Sequence, residues 1–164
     1  MLLTEQEPDR PPVPEQYSWN LADLYPDVAA WRADKARVTA EVPQIREFAG
    51  RLSSSPQTLA DALETLTRLD RELARLYVYA SMMSDEDTRR SEPQGMQQEM
   101  QQLHAEFSAQ ASYIQPEILR IGGAAIEAFI DDEPRLANFA VTLRDIARRA
   151  AHTLSDAEEK ILAD

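Results

Sequence analysis

From Val28 to Ile146 the apolar residues return every three or four positions, and only four glycines interrupt the whole 164-residue chain. That period lines side chains up on one face of an α-helix, whereas a half-buried strand alternates by two and a β architecture needs many turns. The sequence therefore predicts an all-α protein, a bundle of three long antiparallel helices followed by shorter helices.

The individual helices can be placed from their stripes and their punctuation. Val28, Trp31, Val38, Val42, Ile45 and Phe48 share one stripe, which predicts a helix from about Asp27 to Gly50. Pro43 falls inside it, removes a backbone donor and crowds the preceding turn, so a kink or a helix in two pieces is expected there. Ser53-Ser54-Ser55-Pro56 supplies a capping hydroxyl followed by a proline suited to a first helical turn. The second helix then carries Leu59, Leu63, Leu66, Leu69, Leu73, Leu76 and Ala80 and should end around Ser84-Asp85. A third carries Met96, Met100, Leu103, Phe107, Ala111 and Ile114 at near-heptad spacing. Pro116 and Gly122-Gly123 should break the chain into shorter pieces. A last substantial helix is expected from about Asp132, a candidate N-cap, with Leu136, Phe139, Leu143, Ile146 and Ala150 on its buried face.

Seventeen basic against twenty-nine acidic residues give a net charge of −12, a surface that repels phosphate backbones and anionic lipid. Neither nucleic acid nor a membrane is therefore expected as a partner. The absence of cysteine excludes a disulfide framework and a thiol nucleophile. The first residues lack the basic start and apolar stretch of a secretory signal, and no apolar run is long enough to span a bilayer, so a cytoplasmic protein is expected. Pro8, Pro11, Pro12 and Pro14 among acidic residues make residues 1–16 a flexible, Pro-rich N-terminal tail.

Chemistry-bearing residues are few. His104 and Glu106 stand two apart, which on a helix points them in different directions, and no second histidine follows at the spacing of a zinc helix. A solvent-facing histidine is the expected outcome. His152 follows two arginines and suits a structural role or contact with another domain. Asp85-Glu86-Asp87 and Asp131-Asp132-Glu133 lack the ligand spacing and glycine of a calcium loop and read as helix-end charges. Gln94, Gln97, Gln98, Gln101, Gln102 and Gln110 could line a peptide channel, but glutamine is also a good helix former on a wet face, the reading preferred here. Tyr77, Tyr79, Met82 and Met83 could offer an adaptable surface to another domain, although packing inside the bundle explains them as well. No catalytic, cofactor-binding or metal-binding residue is nominated.

Ser155-Asp156-Ala157-Glu158 is a capping box with acidic residues in the first turn. A helix is expected to start there, yet Asp164 follows within three turns, too short for an isolated helix to be stable. The expectation is a domain cut from a longer protein.

Two landmarks point to a family. Trp19-Asn20-Leu21-Ala22-Asp23-Leu24-Tyr25 lies near the start, and Arg149-Ala150-Ala151-His152-Thr153-Leu154-Ser155-Asp156-Ala157-Glu158-Glu159 near the end, with helical sequence between them. Over residues 17–164 the chain resembles the N-terminal region of oligoendopeptidase F and its relatives, the M3 family of zinc oligopeptidases. The resemblance implies a helical N-terminal domain truncated before its catalytic domain, forming a wall or lid of a channel that admits short peptides. It implies a zinc-dependent metalloendopeptidase as the parent protein, its zinc held in the missing catalytic domain by a His-Glu-x-x-His helix. Neither histidine here stands in such a motif, so this chain is expected to bind no zinc and to be inactive alone. The partners implied are the catalytic domain of the same polypeptide and short peptides, with a homodimer open to the isolated fragment. The competing expectation is a self-standing acidic helical module for protein interaction or dimerisation.

Overall fold

A computed structural model of the chain describes residues 19–149, and among these are six α-helices, three 3-10 segments and no strand. The Pro-rich tail, Ala150, His152 and the Ser155 capping box lie outside the described residues. Helix α1 spans Val28–Glu41 and starts where the Asp27 carboxylate accepts the Ala30 N–H at 2.7 Å. It stops short of Pro43, and the chain runs on as a 3-10 segment, Val42–Phe48. The expected helix thus comes in two pieces, because the proline ring cannot sit against the carbonyl four residues back in a continuing α-helix.

Helix α2, Pro56–Glu86, begins as its sequence dictates: Ser55 is extended, its hydroxyl accepts the Thr58 N–H at 3.1 Å, and Pro56 takes the first helical position. Helix α3 spans Ser91–Ala111 and buries Met96, Met100, Leu103 and Phe107. Ile114 is not its last seam residue but the first of helix α4, Ile114–Ile121. Pro116 lies in the first turn of α4, where its missing N–H would have no helical partner anyway, and the chain breaks just before it, between Ala111 and Ile114. The next break is Gly122, whose φ of +82° an L-side chain resists, and Gly123 already opens helix α5, Gly123–Asp132.

Asp132 closes α5 instead of capping a new helix. Pro134 biases the residue before it away from helical backbone, and Glu133 is extended at φ −125° and ψ 102°. Its carboxylate accepts the Arg135 N–H at 3.1 Å and starts a 3-10 segment, Pro134–Phe139, which leads into helix α6, Ala140–Arg149. The last helix therefore comes later than expected and in two pieces.

Cross-links between elements give their directions. Trp31 Nε1 donates to the Leu76 carbonyl at 2.9 Å, Arg37 to Glu72 at 3.0 Å and Arg68 to Glu41 at 2.5 Å, so α1 and α2 run antiparallel. Gln97 reaches Ser81 at 3.4 Å, the antiparallel register of α2 and α3. Arg32 with Glu92, Lys35 with Glu99 and the Tyr113 hydroxyl with the Ile45 carbonyl place α1 and its 3-10 extension parallel to α3. The shorter elements pack on the same core, a single cluster running from Trp31 and Ile45 through the α2 leucines to Ile126, Leu136 and Leu143. Polar ties reinforce the attachment. The Glu117 carboxylate accepts the Gly50 N–H at 2.5 Å and the Leu52 N–H at 3.4 Å, and Arg135 reaches Asp61 at 2.7 Å and Glu64 at 3.0 Å on α2.

Candidate functional site

The chemistry-bearing residues of the sequence do not converge. His104 is exposed on α3, its Nδ1 only 3.5 Å from the Ser108 hydroxyl, while Glu106 accepts from Gln110. Asp87 is occupied by Arg89, accepting from its backbone N–H and its guanidinium. Asp131 and Asp132 are exposed at the end of α5, and the buried Glu133 is held by Arg135, whose guanidinium keeps the Glu133 carboxyl below the usual carboxylate range. Among the described residues no group of three or more His, Asp or Glu is arranged to hold a metal ion.

The densest polar cluster is the α1–α2 seam. Arg37 bridges Asp34, Glu41 and Glu72, and Arg68 bridges Glu41 and Glu72. Arg68 and then Arg37 hold the Glu41 carboxyl below its ordinary value. Burial alone would push Asp34 up, but hydrogen bonds from the Tyr25 hydroxyl at 2.6 Å and from Arg37 outweigh it, leaving its carboxyl depressed. Burial raises Tyr25 itself, as does its bond to Asp34, so the phenol stays a neutral donor. Its ring meets Tyr79 edge-on at 5.3 Å and lies under the Arg75 guanidinium at 4.5 Å, and Arg75 also donates to the Leu24 carbonyl. All of this fastens one element to another. The Trp19–Tyr25 motif is thus a structural device, its Tyr25 buried against α2 while Trp19 remains 60% exposed.

An open surface does exist between α2 and α3. Leu73, Ala74, Tyr77 and Met100 line a groove of about 380 Å³. Asp70, Gln101 and His104 complete its lining. The sequence grouped Tyr77 with Tyr79, but the structure separates them: Tyr79 is 3% exposed in the core and Tyr77 39% exposed. Two positions along a helix rotate a side chain by about 200°, and that rotation was the signal available to separate them. The glutamines lie exposed or half-buried on the outside of α3, Gln94 donating to the Thr88 carbonyl and Gln97 to Ser81.

Comparison with known proteins decides the family. The sequence model of a family described as Oligopeptidase F matches residues 117–164. Oligopeptidase PepF of Bacillus subtilis is 32% identical over 159 residues, which cover 97% of this chain and 24% of that protein. The plasmid oligoendopeptidase F of Lactococcus lactis subsp. cremoris is 30% identical over 94% of this chain and 26% of its own length. In three dimensions the chain matches the crystal structure of a Chlamydophila abortus protein assigned as a peptidase, with a TM-score of 0.80 at 29% identity over 92% of this chain and 26% of that one. Oligoendopeptidase-F of Enterococcus faecium matches with a TM-score of 0.69 at 26% identity, over 84% of this chain and 27% of that one. The chain belongs to the N-terminal region of the oligoendopeptidase F family. It spans about a quarter of the length of the oligoendopeptidase F relatives it matches. The match to the family's sequence model begins at Glu117, the residue that ties α4 to the turn at Gly50, whereas the full-length relatives align across the long helices too. No helix among the described residues of this oligoendopeptidase F-type domain is long and apolar enough to cross a membrane.

Proposed function

We propose that this chain works as the N-terminal accessory domain of a cytoplasmic zinc metalloendopeptidase that hydrolyses short peptides, forming one wall or lid of the substrate channel and supplying no catalytic group. The observation that carries the reading is coverage: 97% of the chain aligns with only 24% of Bacillus subtilis oligopeptidase PepF. The remaining three quarters of such a protein would hold the zinc and the groups that act on the peptide bond. In that arrangement the partners are the catalytic domain of the same polypeptide and the short peptides it cleaves. The rigid three-helix core suits a wall, because one continuous apolar cluster ties its elements together. The self-standing interaction module is not favoured, since nothing in the geometry calls for it once the relatives are taken into account.

Two measurements test this. Purified alone, the chain is expected to contain no stoichiometric zinc by elemental analysis and to leave a quenched fluorescent peptide uncleaved. Grafted in place of the corresponding quarter of Bacillus subtilis oligopeptidase PepF, it is expected to restore cleavage of short peptides that the protein deleted for that quarter has lost. One equivalent of zinc in the isolated chain, or a graft that folds yet is no better than the deletion, would overturn the proposal.

A further inference from the structure

We propose that the α2–α3 groove at Tyr77 is a binding site on this domain for a short, extended peptide carrying a basic residue next to an apolar one. The inference deepens the peptidase reading and rests on it for the choice of a peptide as ligand. Its location and its charge preference come from the groove. Among the described residues the exposed large hydrophobics are Trp19, Tyr77, Val78 and Val141, and two of these four are neighbours on α2. Tyr77 opens onto a cavity floored by the buried Leu73 and Met100, with Ala74 and the Tyr77 ring as its accessible apolar surface.

Of the polar groups around it, His104 meets the Ser108 hydroxyl and the other three are uncommitted. The Asp70 carboxylate, the Gln101 amide and the Tyr77 hydroxyl make no hydrogen bond or ion pair with any described residue, whereas Asp34, Glu41, Asp61, Glu64 and Glu72, five of the eight carboxylates of α1 and α2, are engaged by arginine. An amide that donates and accepts suits a peptide backbone, and a carboxylate accepts only, so it suits a cation. No lysine or arginine lines the groove, and Asp70 is its one acidic group. The ring face of Tyr77 adds a second attraction for an ammonium or guanidinium. At long range the net charge of −12 draws cationic ligands and repels anionic ones.

The test is a nuclear magnetic resonance titration of the full chain with two unstructured peptides of equal length, one alternating leucine and lysine, the other leucine and glutamate. The lysine peptide should shift the resonances of Ala74, Tyr77, Met100 and His104, and the glutamate peptide should leave them in place. Asp70→Asn should weaken binding roughly two- to fivefold, the scale of an exposed ion pair. Tyr77→Ser should weaken it about tenfold through lost apolar contact. Both positions are exposed, and each variant should keep the circular dichroism spectrum of the parent chain. Equal binding of both peptides, shifts confined to other surfaces, no shifts at all, or concentration-dependent broadening of the groove without peptide, as self-association would give, each overturns the assignment. The peptidase reading is decided separately by the graft, which does not depend on where peptides touch this domain.

Discussion

Trp31 is fully buried and its indole N–H is committed to a main-chain carbonyl in the middle of α2. Trp31→Phe removes that donor and part of the ring, and the expected loss of stability is about 2–3 kcal/mol, read as a lower urea midpoint with unchanged slope. Asp34 and Glu41 make a different contribution. Their carboxyls are held below their unfolded values, so the stabilisation they supply is complete above the unfolded pKa of about 4 and disappears as pH falls through the lower folded values. Urea midpoints should therefore drop on acidification. Arg37→Gln, which removes a partner from both, should flatten that drop, and an unchanged acid limb would show that the seam does not couple to folding. At this scale the sequence revealed the stripe but not the seam, because ion pairs between α1 and α2 join residues some thirty positions apart, such as Glu41 with Arg68.

Single elements follow their punctuation closely where it is local. Ser55 and Pro56 announced the start of α2, and Ser55→Ala should lower stability by about 1 kcal/mol through the lost cap. Gly122 is the true joint between α4 and α5, and Gly122→Ala should cost about 1 kcal/mol because its backbone is left-handed. Gly123→Ala, by contrast, sits inside a helix with open space around it and should be neutral or mildly stabilising in thermal melts. The sequence treated the two glycines as one break, since composition does not say which of a pair takes the positive φ. It likewise extended α3 to Ile114, for the seam spacing of three continues across the Ser112–Tyr113 turn into α4. Asp132 was the expected cap, and Pro134 moves the cap to Glu133 by making the residue before it extended.

The described residues share one core, and they should unfold as one unit. Leu136, buried on the 3-10 segment before α6, belongs to the same cluster as Trp31. Leu136→Ala should destabilise by about 2–5 kcal/mol, with loss of helicity and loss of tryptophan burial at the same midpoint. A second, separate transition would divide the domain at α4. All-α class, the three long helices and the family were legible in the sequence, since helical period and two end motifs carry them. The groove was not, because Asp70, Tyr77 and Gln101 come together only once α2 and α3 adopt their register. That register also has a mechanical meaning. Moving α1 along α2 by one turn, about 5.4 Å, would break the Trp31 bond and the two bridges that cross the seam, Arg37–Glu72 and Arg68–Glu41, together. Sliding therefore costs three ties at once, and α2, 31 residues and about 45 Å long, is held in register against α1 as a strut rather than a runner.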